Sequence, residues 1–91
     1  MKLVIAIVQD KEAGPAVEEL IGHGYGVTRI NTAGGFLRRG NATVLTGVED
    51  EQVEDVLRIL RDTCREPTVN PDGVRSAGVV FVVPITIAYK F

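Results

Sequence analysis

Four short apolar runs, separated by two amphipathic stretches, set the pattern of this chain. Residues 2–8 are apolar at nearly every position without alternation, which is typical of a central strand or of one buried on both faces. Residues 25–32 and 42–48 show a rough period of two, and the single turn-rich loop between them predicts a β-hairpin. The last run, 79–87, contains Pro84, which favours a strand at a sheet edge or a bulge.

The stretch after the first strand predicts a helix, because its apolar residues fall on one stripe. Proline is tolerated in the first turn, so we place Pro15 there, with either Asp10 or a residue just before Pro15 as the N-cap. Gly22 and Gly24 are candidates for a left-handed C-cap. The stripe consists of Ala13, Ala16, Val17, Leu20 and Ile21, and Glu12, Glu18 and Glu19 lie off it.

A second helix is predicted to begin at the N-cap Asp50 and to end before Pro67. Acidic residues crowd its start and arginines crowd its end, which complements the helix dipole. Glu54 and Arg58 have the favourable i, i+4 spacing, so the acidic run is interpreted as helix electrostatics rather than as a metal site. The apolar stripe of this helix consists of Val53, Val56, Leu57, Leu60 and Cys64.

The order strand, helix, strand, strand, helix, strand is the split βαβ pattern. It predicts one α+β, ferredoxin-like βαββαβ domain over residues 1–91, with a four-stranded antiparallel sheet and both helices on one face. Residues 66–78 hold two prolines and two glycines and predict a loop. Strands this apolar cannot leave the other face of the sheet in water, so we expect a cyclic homo-oligomer to cover it.

Composition excludes several classes of protein. The 91 residues carry a net charge of -2 and 5% aromatic residues, with no tryptophan. That balance argues against a surface for nucleic acid or for an anionic membrane. The first apolar run is shorter than the about 7–15 residues of a signal-peptide core, and none approaches the about 20 residues that span a membrane. We therefore expect a cytoplasmic protein.

Residues with catalytic or metal-binding chemistry are scarce. His23, the only histidine, lies between two glycines at a predicted helix end, which favours a capping or solvent-facing role over that of a base. Cys64 has no disulfide partner and is interpreted as a small buried side chain, with a reactive thiol beside Arg65 as the alternative. No catalytic, metal or nucleoside-triphosphate motif is present. We expect no enzyme, no metal site and no cofactor.

The segment 32–41, TAGGFLRRGN, carries the most informative chemistry. Its glycines allow backbone N–H groups to approach a phosphate, and its two arginines supply charge. Phe36 and Leu37 are apolar at a predicted loop tip, where they call for a partner surface or a base. An ordinary glycine-rich hairpin loop with two solvated arginines is the alternative.

With this segment the chain resembles the trimeric PII-like receptors of cyclic di-AMP found in many bacteria. The resemblance covers nearly the whole chain apart from 65–77, and the segment 32–41 is long and specific. It rests on residues 5–10 (IAIVQD), 32–41, Thr63, Cys64, 80–84 (VFVVP) and Phe91.

The resemblance implies a signal receptor without catalysis, a homotrimer that binds cyclic di-AMP in clefts between neighbouring subunits. In such a cleft, Thr28 and Asn41 would hydrogen-bond a base or a phosphate. Phe36 and Phe81 would pack against purine rings, and glycines would offer backbone groups and room. The matching positions are Thr28, Gly35, Phe36, Leu37, Asn41, Gly47 and Phe81.

This chain also departs from the receptors it resembles. They usually carry a polar residue and an arginine where this chain has Gly24 and Gly26, and a penultimate glutamine where it has lysine. The segment before the last strand is also much shorter here. Strand alternation turns Arg29 away from the face of Thr28. The remaining candidate phosphate contacts are Arg38, Arg39 and Lys90.

Two functions follow from these features. The leading one is a receptor for a nucleotide second messenger, with cyclic di-AMP as the ligand and the two missing contacts weakening its binding. The alternative is a PII-like interaction or structural protein whose 33–41 loop contacts a downstream protein partner, or a receptor for another adenine nucleotide. Neither needs a nucleic acid or a membrane.

Overall fold

The computed structural model describes residues 1–30, 40–64, 68–69, 75–76, 78–86 and 89. A 3-10 turn, Asp50–Gln52, precedes the second helix. The helices and strands are β1 Lys2–Gln9, α1 Asp10–Gly22, β2 Thr28–Ile30, β3 Asn41–Val48, α2 Val53–Thr63, β4 Thr68–Val69, β5 Arg75–Ser76 and β6 Gly78–Pro84.

The main sheet has four antiparallel strands in the order β2-β3-β1-β6. With the two helices, this order confirms the predicted ferredoxin-like α+β fold. β1 is the central strand that its uninterrupted apolar run predicts, and Ile5 lies opposite Leu45 on one side and Phe81 on the other. β6 is an edge strand that ends at Pro84, as proline in a strand requires.

The two faces of the sheet differ in cover. Apart from Lys2, the even-numbered residues of β1 and β3 are buried against the helices, and they include Val4, Ala6 and Val44, each 1% exposed. The odd-numbered residues of β1, β3 and β6, with Thr28 and Ile30 of β2, form what we call the open face. Helix residues complete the core, namely Ala13, Ala16, Leu20, Val56, Ile59, Leu60 and Cys64.

α1 begins earlier than the sequence predicts. Its N-cap is Gln9, and Pro15 lies inside the helix rather than in its first turn. The helix follows β1 directly because its first residues are anchored: the Asp10 amide donates to the Gly40 carbonyl at 2.7 Å, and Ala13 is fully buried. This anchoring offsets the penalty of about 3 kcal/mol for proline in a helix interior.

α1 ends in a Schellman motif. The amide of Tyr25 donates to the carbonyl of Leu20 at 3.0 Å and that of Gly24 to Ile21 at 2.9 Å. Gly24 adopts a φ of +91°, which glycine tolerates without strain. His23 is the C-cap residue, in agreement with the capping role predicted for it.

Two residues of α1 differ in burial from the prediction of the apolar stripe. Ile21 is 57% exposed, whereas Glu12 is buried at 9% exposure. The helix begins at β1 and turns its first residues toward the core. The packing of that turn therefore overrides the hydrophobic pattern at Glu12.

α2 also begins differently in detail. The N-cap of α2 is Gln52 rather than Asp50. The 3-10 turn before it is capped by Glu49, whose amide donates to Oε1 of Gln52 at 2.9 Å in a capping box. Arg58 pairs with Asp55 at i, i+3 instead of with Glu54. The cap and the ion pair each differ from the prediction by less than one helical turn. Val56 and Leu60 are buried as predicted.

The segment between α2 and β6 contains more structure than the predicted loop. β4 and β5 pair antiparallel, with Thr68 opposite Ser76 and Val69 opposite Arg75, and form a separate two-stranded sheet. Strands of two residues are too short to show any hydrophobic period.

Truncating Leu20 tests the core between α1 and the sheet. Leu20 is fully buried, so Leu20→Ala should lower the free energy of unfolding by about 2–5 kcal/mol, measured by urea denaturation. Ile21→Ala is the matched control. The side chain of Ile21 is 57% exposed, so its truncation should change the free energy of unfolding by about 0.5 kcal/mol or less. Equal losses in both variants would contradict this packing of α1.

Candidate functional site

The open face places four residues in one row across the sheet. Thr28 lies opposite Leu45, Leu45 opposite Ile5, and Ile5 opposite Phe81. Directly paired residues point to the same side of a sheet. The row therefore joins two predicted ligand-binding residues, Thr28 and Phe81, through two apolar side chains.

Thr28 and Phe81 do not meet within one subunit. They lie on opposite edge strands, three inter-strand spacings or about 14 Å apart. Gly47 lies two residues beyond Leu45 on the same face, near Thr28. Asn41 is at the other end of β3, six residues from Gly47, which is about 20 Å along a strand. The sheet therefore spreads these four residues over one face and does not gather them into a pocket.

The surroundings of Thr28 are open and lined by bare backbone. Gly47 is exposed, and a Cβ placed on it would meet nothing within 4 Å. The same holds for Gly26, two residues before Thr28. Thr46 fixes the position of Gly26 by donating a hydrogen bond of 2.6 Å to its carbonyl. This end of the sheet leaves room for a ligand group beside the Thr28 hydroxyl.

The other predicted contacts fall outside the described residues. They are Gly35, Phe36, Leu37, Arg38, Arg39 and Lys90. Their roles stay predictions.

Arg29 is engaged on the helix side of the sheet. It pairs with Val44 in the register, and its guanidinium donates to Oδ1 of Asp10 at 2.7 Å. Asp10 also holds Gly40 through its backbone amide. Asp10 thus contacts residues on both sides of the segment 31–39. Arg29 faces away from Thr28, as strand alternation predicts.

A second polar cluster holds the residues that precede β2. The Tyr25 hydroxyl donates to Oδ2 of Asp55 at 2.6 Å, and Arg58 pairs with the other oxygen. The hydrogen bond from Tyr25, followed by that from Arg58, lowers the pKa of Asp55. The same bond to Asp55, with some burial, raises the pKa of Tyr25. The cluster ties the segment before Thr28 to α2.

The described residues offer little reactive chemistry. Burial, and after it the negative charge of Glu12, raises the pKa of the Cys64 thiol to about 11. Cys64 is buried at 4% exposure, as predicted for a small core side chain, and its raised pKa favours the neutral thiol. Among the described positions, no three His, Cys, Asp or Glu side chains are placed to hold a metal ion. Within the same part of the chain, no helix is long and apolar enough to cross a membrane.

Comparison with known proteins finds a matching family and similar solved structures. A family model described as cyclic-di-AMP receptor matches residues 1–88. A crystal structure of a functionally unknown protein from Pediococcus pentosaceus ATCC 25745 is similar at 35% identity and a TM-score of 0.77, over 99% of this chain and 96% of that one. The family match covers β1 to β6, including every described position of the candidate site.

Removing the Tyr25 hydroxyl tests the cluster that holds the approach to β2. Tyr25→Phe should lower the free energy of unfolding at pH 7. Asp55 has a lowered pKa in the folded state, so its contribution is present above the ordinary aspartate pKa of about 3.9 and is lost as pH falls further. The raised pKa of Tyr25 likewise gives a contribution that is present below about pH 10 and is lost as pH rises.

The difference between wild type and Tyr25→Phe should therefore be largest near neutral pH and shrink toward both extremes. Urea denaturation at a series of pH values measures it. Tyr89→Phe is the control, because Tyr89 is 80% exposed. A pH-independent difference would contradict the role of the Tyr25–Asp55 hydrogen bond.

Proposed function

Since the chain belongs to the cyclic-di-AMP receptor family, we propose that it is a cytoplasmic, non-catalytic PII-like signal receptor. It binds cyclic di-AMP in clefts between the subunits of a homotrimer. The proposal concerns the assembly, the ligand and the residues that bind it, which are taken in turn below.

The separation of Thr28 and Phe81 is the observation that carries the shared cleft. Within one subunit about 14 Å of apolar sheet lies between the two residues, so a single subunit does not bring them together around a ligand. When the β2 edge of one subunit lies against the β6 edge of the next, the two residues face a common cleft. A symmetric assembly repeats that cleft at each interface.

The apolar open face supports the assembly itself. Phe81 is 52%, Val83 42% and Ile30 39% exposed, and they border the half-buried Leu3, Ile5 and Ile7. An exposed apolar surface of this kind marks an interaction site. Packing of open faces around a three-fold axis covers it without a further layer of secondary structure.

The ligand contacts follow from the chemistry of cyclic di-AMP. Thr28 and Asn41 hydrogen-bond a base or a phosphate, and Gly47 leaves room and backbone groups. Phe81 packs against a purine ring, as its exposed aromatic side chain allows. Gly35, Phe36 and Leu37 complete the cleft, and Arg38, Arg39 and Lys90 compensate phosphate charge.

The open space beside Thr28 supports weaker binding of cyclic di-AMP than a site with side-chain donors at positions 24 and 26 would give. Gly24 and Gly26 provide no side-chain donors, and Arg29 is held by Asp10. A hydrogen bond to a charged ligand contributes about 1.5–3 kcal/mol, so two missing contacts weaken cyclic di-AMP by about 10²–10⁴-fold. The same space suits a smaller adenine nucleotide, which is the alternative ligand.

Light scattering tests the assembly. The native chain should have three times the monomer mass of 9.8 kDa. Val83→Glu, on the open face, should dissociate it, because a charge would be buried at the interface. Val82→Glu is the matched control: the two side chains are 42% and 41% exposed, but Val82 lies on the helix side of β6 and should leave the trimer intact. A monomeric native chain at micromolar concentration would refute the shared cleft.

Calorimetry with Gly26→Arg tests the ligand site. A side chain at position 26 meets open space and φ there is not positive, so the arginine can reach a phosphate. Cyclic di-AMP should bind about 10–100-fold more tightly than to the native chain. Gly22→Arg adds the same charge at the end of α1, also in open space, and should have little effect.

The outcomes of these titrations separate the alternatives. Native binding of AMP or ATP in preference to cyclic di-AMP would identify a receptor for another adenine nucleotide. Nanomolar cyclic di-AMP binding by the native chain would contradict the weakened site. Absence of heat with any of these nucleotides, in the native chain and in Gly26→Arg, would favour an interaction protein whose 33–41 loop contacts a partner.

A further inference from the structure

Asp10 lies where β1 ends and α1 begins, and it contacts the chain neighbour of each polar ligand residue. Its Oδ1 accepts a hydrogen bond of 2.7 Å from the guanidinium of Arg29, the residue after Thr28. Its backbone amide donates at 2.7 Å to the carbonyl of Gly40, the residue before Asn41. Asp10 is therefore bonded to both strands that carry the proposed polar contacts of the ligand, one residue away from each contact.

β2 is a short edge strand, so its position depends on contacts beyond the sheet. Its three residues are all exposed, and in the described part of the chain its paired neighbour is β3. The Asp10–Arg29 pair joins it to the first turn of α1, where a Cβ at position 14 would lie 3.9 Å from Nη1 of Arg29. The position of Thr28 therefore depends on the contact of Arg29 with α1 as well as on the ladder with β3.

The second contact of Asp10 sets where Asn41 enters β3. Asn41 forms the last pair of the β1–β3 ladder, opposite Gln9. The hydrogen bond from the Asp10 amide to the Gly40 carbonyl extends that connection by one residue beyond the ladder. Gly40 has a φ of +90°, a left-handed conformation that glycine adopts without strain. The backbone on the N-terminal side of Asn41 is therefore held by Asp10.

We propose that Asp10 is a positioning residue of the nucleotide site, which fixes the separation of Thr28 and Asn41 without touching the ligand. The two residues are one inter-strand spacing and four residues of β3 apart, or about 14 Å. A ligand that hydrogen-bonds both binds more tightly when that separation is already held, because less ordering is left to the binding step. The inference rests on the proposed function for its ligand and on the contacts of Asp10 for the positioning.

Two substitutions separate the contribution of the Asp10 carboxylate from that of its amide. Asp10→Ala removes the carboxylate and keeps the amide, whereas Asp10→Pro removes both. α1 tolerates the proline, because position 10 is its first helical residue, where proline is favoured. Gln9 has an extended backbone with φ -64° and ψ 143°, which is the conformation that the residue before a proline prefers.

Calorimetry with cyclic di-AMP on the full-length chain measures the effect on binding. Asp10→Ala should weaken binding about two- to fivefold, as for a partly exposed ion pair. Asp10→Pro should weaken it about tenfold or more, since a backbone hydrogen bond is lost as well. Arg29→Gln should match Asp10→Ala, and the double variant of both should bind no more weakly than either. Glu18→Gln, at an exposed position of the same helix, should have no effect.

A destabilised variant distinguishes positioning from a general loss of stability. Val56 is fully buried in α2, so Val56→Ala should lower the free energy of unfolding and leave the affinity for cyclic di-AMP unchanged. Thermal melts check that each variant is folded at the temperature of the titration. The proposal would be overturned if folded Asp10→Pro bound as tightly as the native chain, or if Val56→Ala lost as much affinity as Asp10→Pro.

Hydrogen exchange without ligand separates this proposal from the proposed function. In Asp10→Pro, the amides of residues 28–30 and 41–43 should exchange about tenfold faster than in the native chain, because both strands lose their tie to Asp10, while those of 53–63 in α2 should not change. Absence of nucleotide binding by the native chain would refute the proposed function, and the exchange rates would still decide whether Asp10 holds the two strands. Unchanged exchange at 28–30 and 41–43 in folded Asp10→Pro would overturn the positioning role even if cyclic di-AMP binds.

Discussion

The one-sided burial of β1 is the constraint on which the rest of the structure depends. Val4, Ala6 and Val8 lie under the helices and are at most 3% exposed, while Leu3, Ile5 and Ile7 are only half-buried. A central strand of an isolated four-stranded sheet cannot bury both faces with one layer of helices. The open face, the assembly proposed to cover it and the spread of the ligand residues all follow from this imbalance.

The sequence predicts the fold well wherever one strong pattern acts alone. The uninterrupted apolar run of β1 and the stripe of α2 both lead to elements that the structure contains, and their order specifies the sheet. The prediction is wrong where tertiary contacts override local rules. Pro15 lies in a helix interior because Asp10 and Ala13 anchor the turn before it. Glu12 is buried for the same reason, and among three glutamates on one helix nothing in the sequence distinguishes it.

The candidate site could be predicted only in part. Motif resemblance selects Thr28 and Phe81, but the row that places Leu45 and Ile5 between them depends on the register of the strands, which the sequence pattern does not specify. A groove between α2 and β6, on the helix side of the sheet, has no signal in the sequence. The residues that line it come from separate elements and resemble ordinary core positions. Only coordinates show that Gly78, Cys64 and Arg61 surround one space.

The left-handed backbone at Gly24 has a consequence for how this chain can change over generations. A side chain at position 26 is sterically free, so an arginine can be introduced there by a single substitution. Position 24 is different, because its φ of +91° closes the Schellman motif that ends α1, and most side chains would strain that turn. Position 26 thus accepts a side chain without strain, whereas the end of α1 favours glycine at position 24.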